Sequence, residues 1–207
     1  MDTTMTSHRK RTLPERKGKC ERGFTLMEVL ISICVLTIGL VSLLGVFGIA
    51  LATTQTAQLD LMAKQVATET MESIYSARDT NNVQWEGIQN VTVVNPDGTT
   101  GIFLTGFQPV NNPGVDGIFG TADDAAAGTQ TLTPPGPDGT YGNADDASAA
   151  IPLTNFQRQI SISDIDPFTG AALAGNLRAY TITVQYTTPQ FHLPKQYTLA
   201  GYISQYR

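Results

Sequence analysis

Residues 22–52 read RGFTLMEVLISICVLTIGLVSLLGVFGIALA, and this stretch decides the fold. From Phe24 to Ala52 it is almost continuously apolar, with one charge, Glu28. A helix of about 20 such residues crosses a hydrocarbon core of about 30 Å, so the run predicts a membrane-spanning helix. A secretory signal peptide is the competing reading, but such a peptide is cut after its apolar region at a small-residue site. No site of that kind follows here, and the helical pattern continues beyond the run. Seven of the thirteen Lys and Arg residues fall in residues 1–23, against three acids. The remaining six basic and fifteen acidic residues give the rest of the chain a net charge of −9. Basic residues before the span and an acidic body after it place the N-terminus in the cytoplasm. The acidic body also argues against nucleic acid as a partner, because phosphates would be repelled.

The residues that open the run are specific. Arg22-Gly23-Phe24-Thr25-Leu26-Met27-Glu28 resembles the processing site of type IV prepilins, with Gly, then Phe, then Glu five residues into the mature chain. The further run VLTIGLVSLLG is similar to PilV-type minor pilins and to the I-type pseudopilins of type II secretion. The resemblance implies cleavage between Gly23 and Phe24 by a prepilin peptidase, with N-methylation of Phe24. It implies residence in the inner membrane as a single-pass precursor, then polymerisation with other pilin or pseudopilin subunits on an inner-membrane assembly platform. The product would be a periplasmic or extracellular filament. The resemblance covers residues 22–50 closely, and again the hairpin YTITVQYT…KQYTLAGYIS near the C-terminus.

Elementary electrostatics gives Glu28 the same role. A carboxylate in a bilayer costs on the order of 2.5–3.5 kcal/mol on insertion scales, which marks it as functional. After cleavage the Phe24 amine lies about one helical turn away. At roughly 4 Å and an effective dielectric near 20, opposite charges attract by about 4 kcal/mol. In a filament the amine of one subunit meets the Glu28 of its neighbour, and any other stagger buries an unpaired charge. Where many pilins carry a helix-loosening proline, this chain has Gly45, flanked by Gly39 and Gly48. These glycines allow either local melting or close helix packing.

From Thr53 the helical pattern becomes amphipathic, with Leu59, Met62, Val66 and Ile74 joined by Ala63, Ala67 and Thr70 on one stripe. Asp60, Lys64, Glu69 and Glu72 fall mostly on other faces, and the helix is predicted to stop near Arg78. Strands are predicted at 89–94, 102–107, 156–163, 178–187 and 196–206, the last two as a hairpin. In the fourth, Tyr180, Ile182, Val184 and Tyr186 alternate with Thr181, Thr183 and Gln185. The predicted class is α+β: one long N-terminal helix, first transmembrane and then amphipathic, packed on a small antiparallel sheet, which the resemblance identifies as the pilin fold. The organisation is a leader at 1–23, a transmembrane or filament-core helix at 24–52 and an exported domain at 53–207.

Between about 108 and 151 the composition turns to Gly, Pro, Asp, Ala and Thr, too polar by expectation to build core. It holds a repeat: GVDGIFGTADDA at 114–125 and GPDGTYGNADDA at 136–147, with a weaker echo at 96–101. Calcium takes six to eight oxygens on a Gly-turned backbone. Asp116, Asp123 and Asp124 form one candidate set, and Asp138, Asp145 and Asp146 another; polar turns with Asp-Gly corners are the alternative. A calcium-dependent binding module at a filament tip is therefore the second functional reading. Nothing supports an enzyme: His8 and His192 do not make a pair, no serine has a base, and no phosphate-binding loop occurs. Cys20 and Cys34 lie in the leader and the apolar run, so neither can staple the exported domain. Asn90-Val91-Thr92 matches a glycosylation acceptor pattern.

Overall fold

The computed structural model describes residues 23–146, 150–188 and 194–206. The leader before Gly23, Ala147 of the second repeat, and His192 in the loop joining the last two strands lie outside them. The chain divides into a unit ending at Gly48 and a second from Ile49 onward, and helix α1 (Leu26–Asp79) contributes to both. Thr25 starts the helix: its hydroxyl accepts the Glu28 N–H at 3.2 Å, as a capping threonine does. The helix runs on through Gly39, Gly45 and Gly48.

In the first unit every residue from Gly23 onward is exposed. Leu26 is 84% exposed and Phe47 57%, so this apolar surface requires a cover that the described chain does not provide. Its hydroxyls are already satisfied within the helix. Ser32 donates to the Glu28 carbonyl at 2.7 Å, Thr37 to Cys34 at 2.8 Å, and Ser42 to Ile38 at 2.8 Å. That arrangement suits hydrocarbon, where no water can take a stray donor. The helix is long and apolar enough to cross a membrane.

In the second unit the helix buries the stripe Ala63, Val66, Ala67, Thr70, Ile74 and Ala77, as its periodicity predicts. Against it lies a four-stranded antiparallel sheet in the order β1 (Gln108–Pro109), β4 (Phe156–Ser163), β5 (Leu177–Thr187), β6 (Pro194–Ser204). A short helix α2 (Asp124–Ala127) and a two-stranded ribbon, β2 (Thr131–Leu132) with β3 (Ile151–Pro152), fill the interval between β1 and β4. The class is α+β. Alternation in β5 falls as expected: Tyr180, Ile182, Val184 and Tyr186 are buried. Phe156 stacks on Tyr186 with ring centroids 5.3 Å apart, so these aromatics are core. Asp60, expected on another face, instead accepts from the Tyr186 hydroxyl and lies 3.6 Å from Lys195 Nζ.

Two predicted strands do not form. Within 89–94 and 102–107 the chain makes only single bridges, Asn90 with Phe103 and Val94 with Thr100. The reason is Asn90. Its side-chain amide donates to Ile160 O at 2.8 Å and accepts from Ile162 N at 2.8 Å, taking the place of a strand backbone along the edge of β4. Asn90 is only 7% exposed with its amide nitrogen engaged, so it is not positioned as a glycan acceptor. The Gly- and Asp-rich interval also builds core, against expectation: Val110, Ile118 and Phe119 are buried, and Leu132 packs against the core that holds Val110 and Ile118. Two apolar residues inside a polar repeat are enough to anchor it.

Candidate functional site

The candidate residues fall in two places: the head of α1 and the repeat loops. At the head, Gly23, Phe24 and Glu28 are all exposed, and Phe24 is 82% exposed. Gly23 precedes the helix, and Glu28 lies in its first turn, where the partial positive charge of the helix end favours a carboxylate. No other charged residue occurs between Glu28 and Asp60.

The two repeats fold alike. In the first, the second Asp of the Asp-Asp pair, Asp124, accepts Gly114 N–H on Oδ1 at 3.0 Å and Gly120 N–H on Oδ2 at 2.6 Å. In the second, Asp146 accepts Gly136 N–H at 2.9 Å and Gly142 N–H at 2.6 Å on the same two oxygens. The opening Asp-Gly corners match too: Asp116 accepts Ile118 N–H and Asp138 accepts Thr140 N–H, both at 2.8 Å. Gly120 and Gly142 have φ of 87° and 90°, a region that side chains avoid. The echo at 96–101 keeps only the corner, with Asp97 accepting Thr99 N–H at 2.9 Å.

The surroundings differ. The first repeat is keyed into the sheet by Arg158, which is 3% exposed. The guanidinium sits 4.6 Å from the centroid of the Phe119 ring, 3.6 Å from Asp124 Oδ2, and donates to Thr70 of α1 at 3.1 Å. Burial pushes Arg158 down to about 10, against the pull of Asp124 and Glu69, so it stays charged at neutral pH. Burial also raises Asp124 above the ordinary carboxylate value, and its two glycine N–H bonds oppose that. Asp146 goes the other way. Held by Gly136 and Gly142 N–H, whose bonds outweigh the opposing effect of burial, it falls below the ordinary value.

The carboxylates of Asp116, Asp123 and Asp124 come together, with one oxygen of each within 4.8 Å of the others. Among the described residues Asp138, Asp145 and Asp146 make no such group. Asp138 is held at 2.7 Å by the side-chain amide of Asn143, where the first repeat has Thr121, whose hydroxyl instead donates to Asp123 at 2.6 Å. The oxygens of the first group are largely occupied by loop N–H groups, and Arg158 already supplies a cation beside Asp124.

Sequence reading passed over Arg158, although the pattern contained it. Alternation along FQRQISIS puts Arg158 on the same side as Phe156, Ile160 and Ile162. A charge in phase with a buried face has to find partners. Compared with protein-family models, curated proteins and solved structures, the chain gives no match.

Proposed function

We propose that this chain is a subunit, of the minor type, of a type IV pilus or a type II secretion pseudopilus, held in the inner membrane until it polymerises through α1. The observation that carries the reading is an apolar helix face, exposed from Phe24 to Leu51, headed by Gly-Phe-Thr-Leu-Met-Glu. A bilayer covers such a surface before assembly, and the equivalent helices of neighbouring subunits cover it afterwards. Prepilin peptidase acts at Gly23-Phe24, and Glu28 receives the neighbour's Phe24 amine. The globular unit keeps its own core, so it can remain folded through both stages. Intact-mass and N-terminal peptide measurements on membrane-purified protein test this. The expected mature chain begins with N-methyl-Phe24; a full-length chain that retains its leader in filaments would contradict it.

The second reading, a calcium-dependent binding module, is favoured by the convergence of Asp116, Asp123 and Asp124. Calcium at 100 times its Kd would add about 2.7 kcal/mol of stability. Millimolar calcium should then raise the melting temperature of the full chain in micelles, and Asp116→Asn with Asp123→Asn should remove the rise. An unchanged melting temperature leaves the carboxylates as anchors of the loop alone.

A further inference from the structure

The two edges of the four-stranded sheet differ in length. β1 is two residues long and ends in Pro109, so that edge offers an added strand little to pair with. β6 runs for eleven residues and has a strand neighbour on one side only among the described residues. Two hydrogen bonds give the direction of its backbone groups. Gln205 N–H donates to Asn176 O at 2.8 Å, straight across the ladder, in the register that sets Ser204 opposite Leu177. Leu177 N–H turns away from β6, to Ala174 O at 2.8 Å. The odd-numbered residues of β6 therefore bond β5, and the backbone groups of the even-numbered ones face the open edge.

That edge is blunted at both ends. Pro194 has no N–H to offer there. At the other end α1 reaches over it: the Tyr75 hydroxyl donates to Tyr202 O at 2.8 Å, and Arg78 Nη1 to Ser204 O at 3.1 Å. Both side chains are braced for this. Tyr75 meets the Tyr180 ring edge-on with centroids 5.9 Å apart, and the Arg78 guanidinium lies 5.1 Å from the Tyr75 ring centroid. Between the blunted ends the outward residues are Gln196, Thr198 and Ala200, none of them charged. A second copy pairing antiparallel about Thr198 would set Gln196 against Ala200, with no like charges directly opposite to oppose it.

We propose that Tyr75 and Arg78 guard this edge: by filling two of its carbonyls, they keep β6 from pairing with the β6 of a second copy. An open strand presents donors and acceptors that another extended chain can use. With Tyr202 O and Ser204 O taken, the usable run shrinks to residues 196–200, and α1 side chains stand where an added strand would continue. The guard acts through hydrogen bonds that stay within one chain. The inference is independent of the filament reading, since it concerns the globular unit alone.

The test is sedimentation equilibrium of the full chain in density-matched detergent micelles, comparing wild type with the double variant Tyr75→Phe, Arg78→Met. Both changes keep the packing stem and remove the donors. The expected result is self-association about tenfold tighter in the double variant. Amide exchange should show Thr198 and Ala200 gaining protection as its concentration rises, which a loss of stability alone would not produce. Adding Thr198→Pro removes one outward N–H without touching the bonds to β5, and should return association to the wild-type level. Ile74→Val weakens the same stretch of α1 without uncovering the edge, and should not associate. No gain in the double variant, a gain that survives Thr198→Pro, or an equal gain in Ile74→Val would overturn the proposal.

Discussion

Over their described residues, 114–125 and 136–146, the two repeats share a loop conformation and differ in what surrounds it. In the first, Ile118 and Phe119 are buried and Asp124 meets Arg158; in the second, Thr140 and Tyr141 at the same positions are exposed. One sequence pattern therefore specifies the loop, and two side chains in the middle decide whether it becomes core or surface. Burying a phenylalanine contributes about 1.5–3 kcal/mol, enough to commit a polar loop to the sheet. The carboxylates follow the same division, with Asp124 raised by burial and Asp146 lowered by backbone N–H groups.

Matched substitutions would break this comparison if it is wrong. One contrast is expected at the φ-positive glycines, where overpacking alone separates the two loops. A Cβ at Gly120 would collide with Ile160 Cδ1, adding overpacking of about 1–3 kcal/mol to backbone strain of about 1–2 kcal/mol. At Gly142 nothing lies within 4 Å of the added carbon, so only the strain remains. Gly120→Ala should lower the main thermal transition more than Gly142→Ala, which carries the strain without the collision. Equal losses in a denaturation series would mean that both loops are equally integral to the core.

A larger contrast is expected for the aromatics. Phe119→Ala should cost about 3–5 kcal/mol, because it empties a core site and strips the ring from Arg158. Tyr141→Ala should stay within about 0.5 kcal/mol, as surface changes do. Urea unfolding of the two variants side by side measures this directly, and a large loss from Tyr141→Ala would show a buried role for that ring.

The smallest effect is the response to acid, and its sign differs between the loops. Asp146 has a folded value below the ordinary 3.8, so its stabilisation is present above 3.8 and is lost as pH falls through the folded value. Asp124 has a folded value above 3.8, so its ionised form opposes folding, and that opposition is relieved as pH falls through the raised value towards 3.8. Acidification should therefore loosen the second loop before the first. Amide exchange at Gly142 and Gly120 reports each separately, and earlier loss of protection at Gly120 would reverse the assignment.

Legibility in the sequence follows whether a residue's partners are local. The stripe on α1 and the alternation in β4 and β5 were readable, because period alone defines a buried face. The residues at 89–94 and 102–107 looked like strands, since β-branched residues surround them. What overrides that is one side chain, Asn90, reaching Ile160 and Ile162 about seventy positions away. The core role of Ile118 and Phe119 was hidden for a similar reason: a composition average over the interval outweighs two apolar residues. The shared loop fold of the repeats was implied by their matching Gly and Asp positions. Their different environments were not, because Arg158 lies outside both.

The head of α1 gives the most direct test of the filament account. Glu28 makes insertion into a membrane less favourable, and the proposed account places its value in assembly. The measurement is an immunoblot of sheared-filament and membrane fractions at matched expression, comparing wild type with Glu28→Val. The account predicts normal removal of the leader and normal membrane storage. Incorporation into filaments should fall by about tenfold or more, because the neighbour's Phe24 amine is left buried without a partner. Undiminished incorporation of Glu28→Val would contradict the claim that this carboxylate sets the register of the filament.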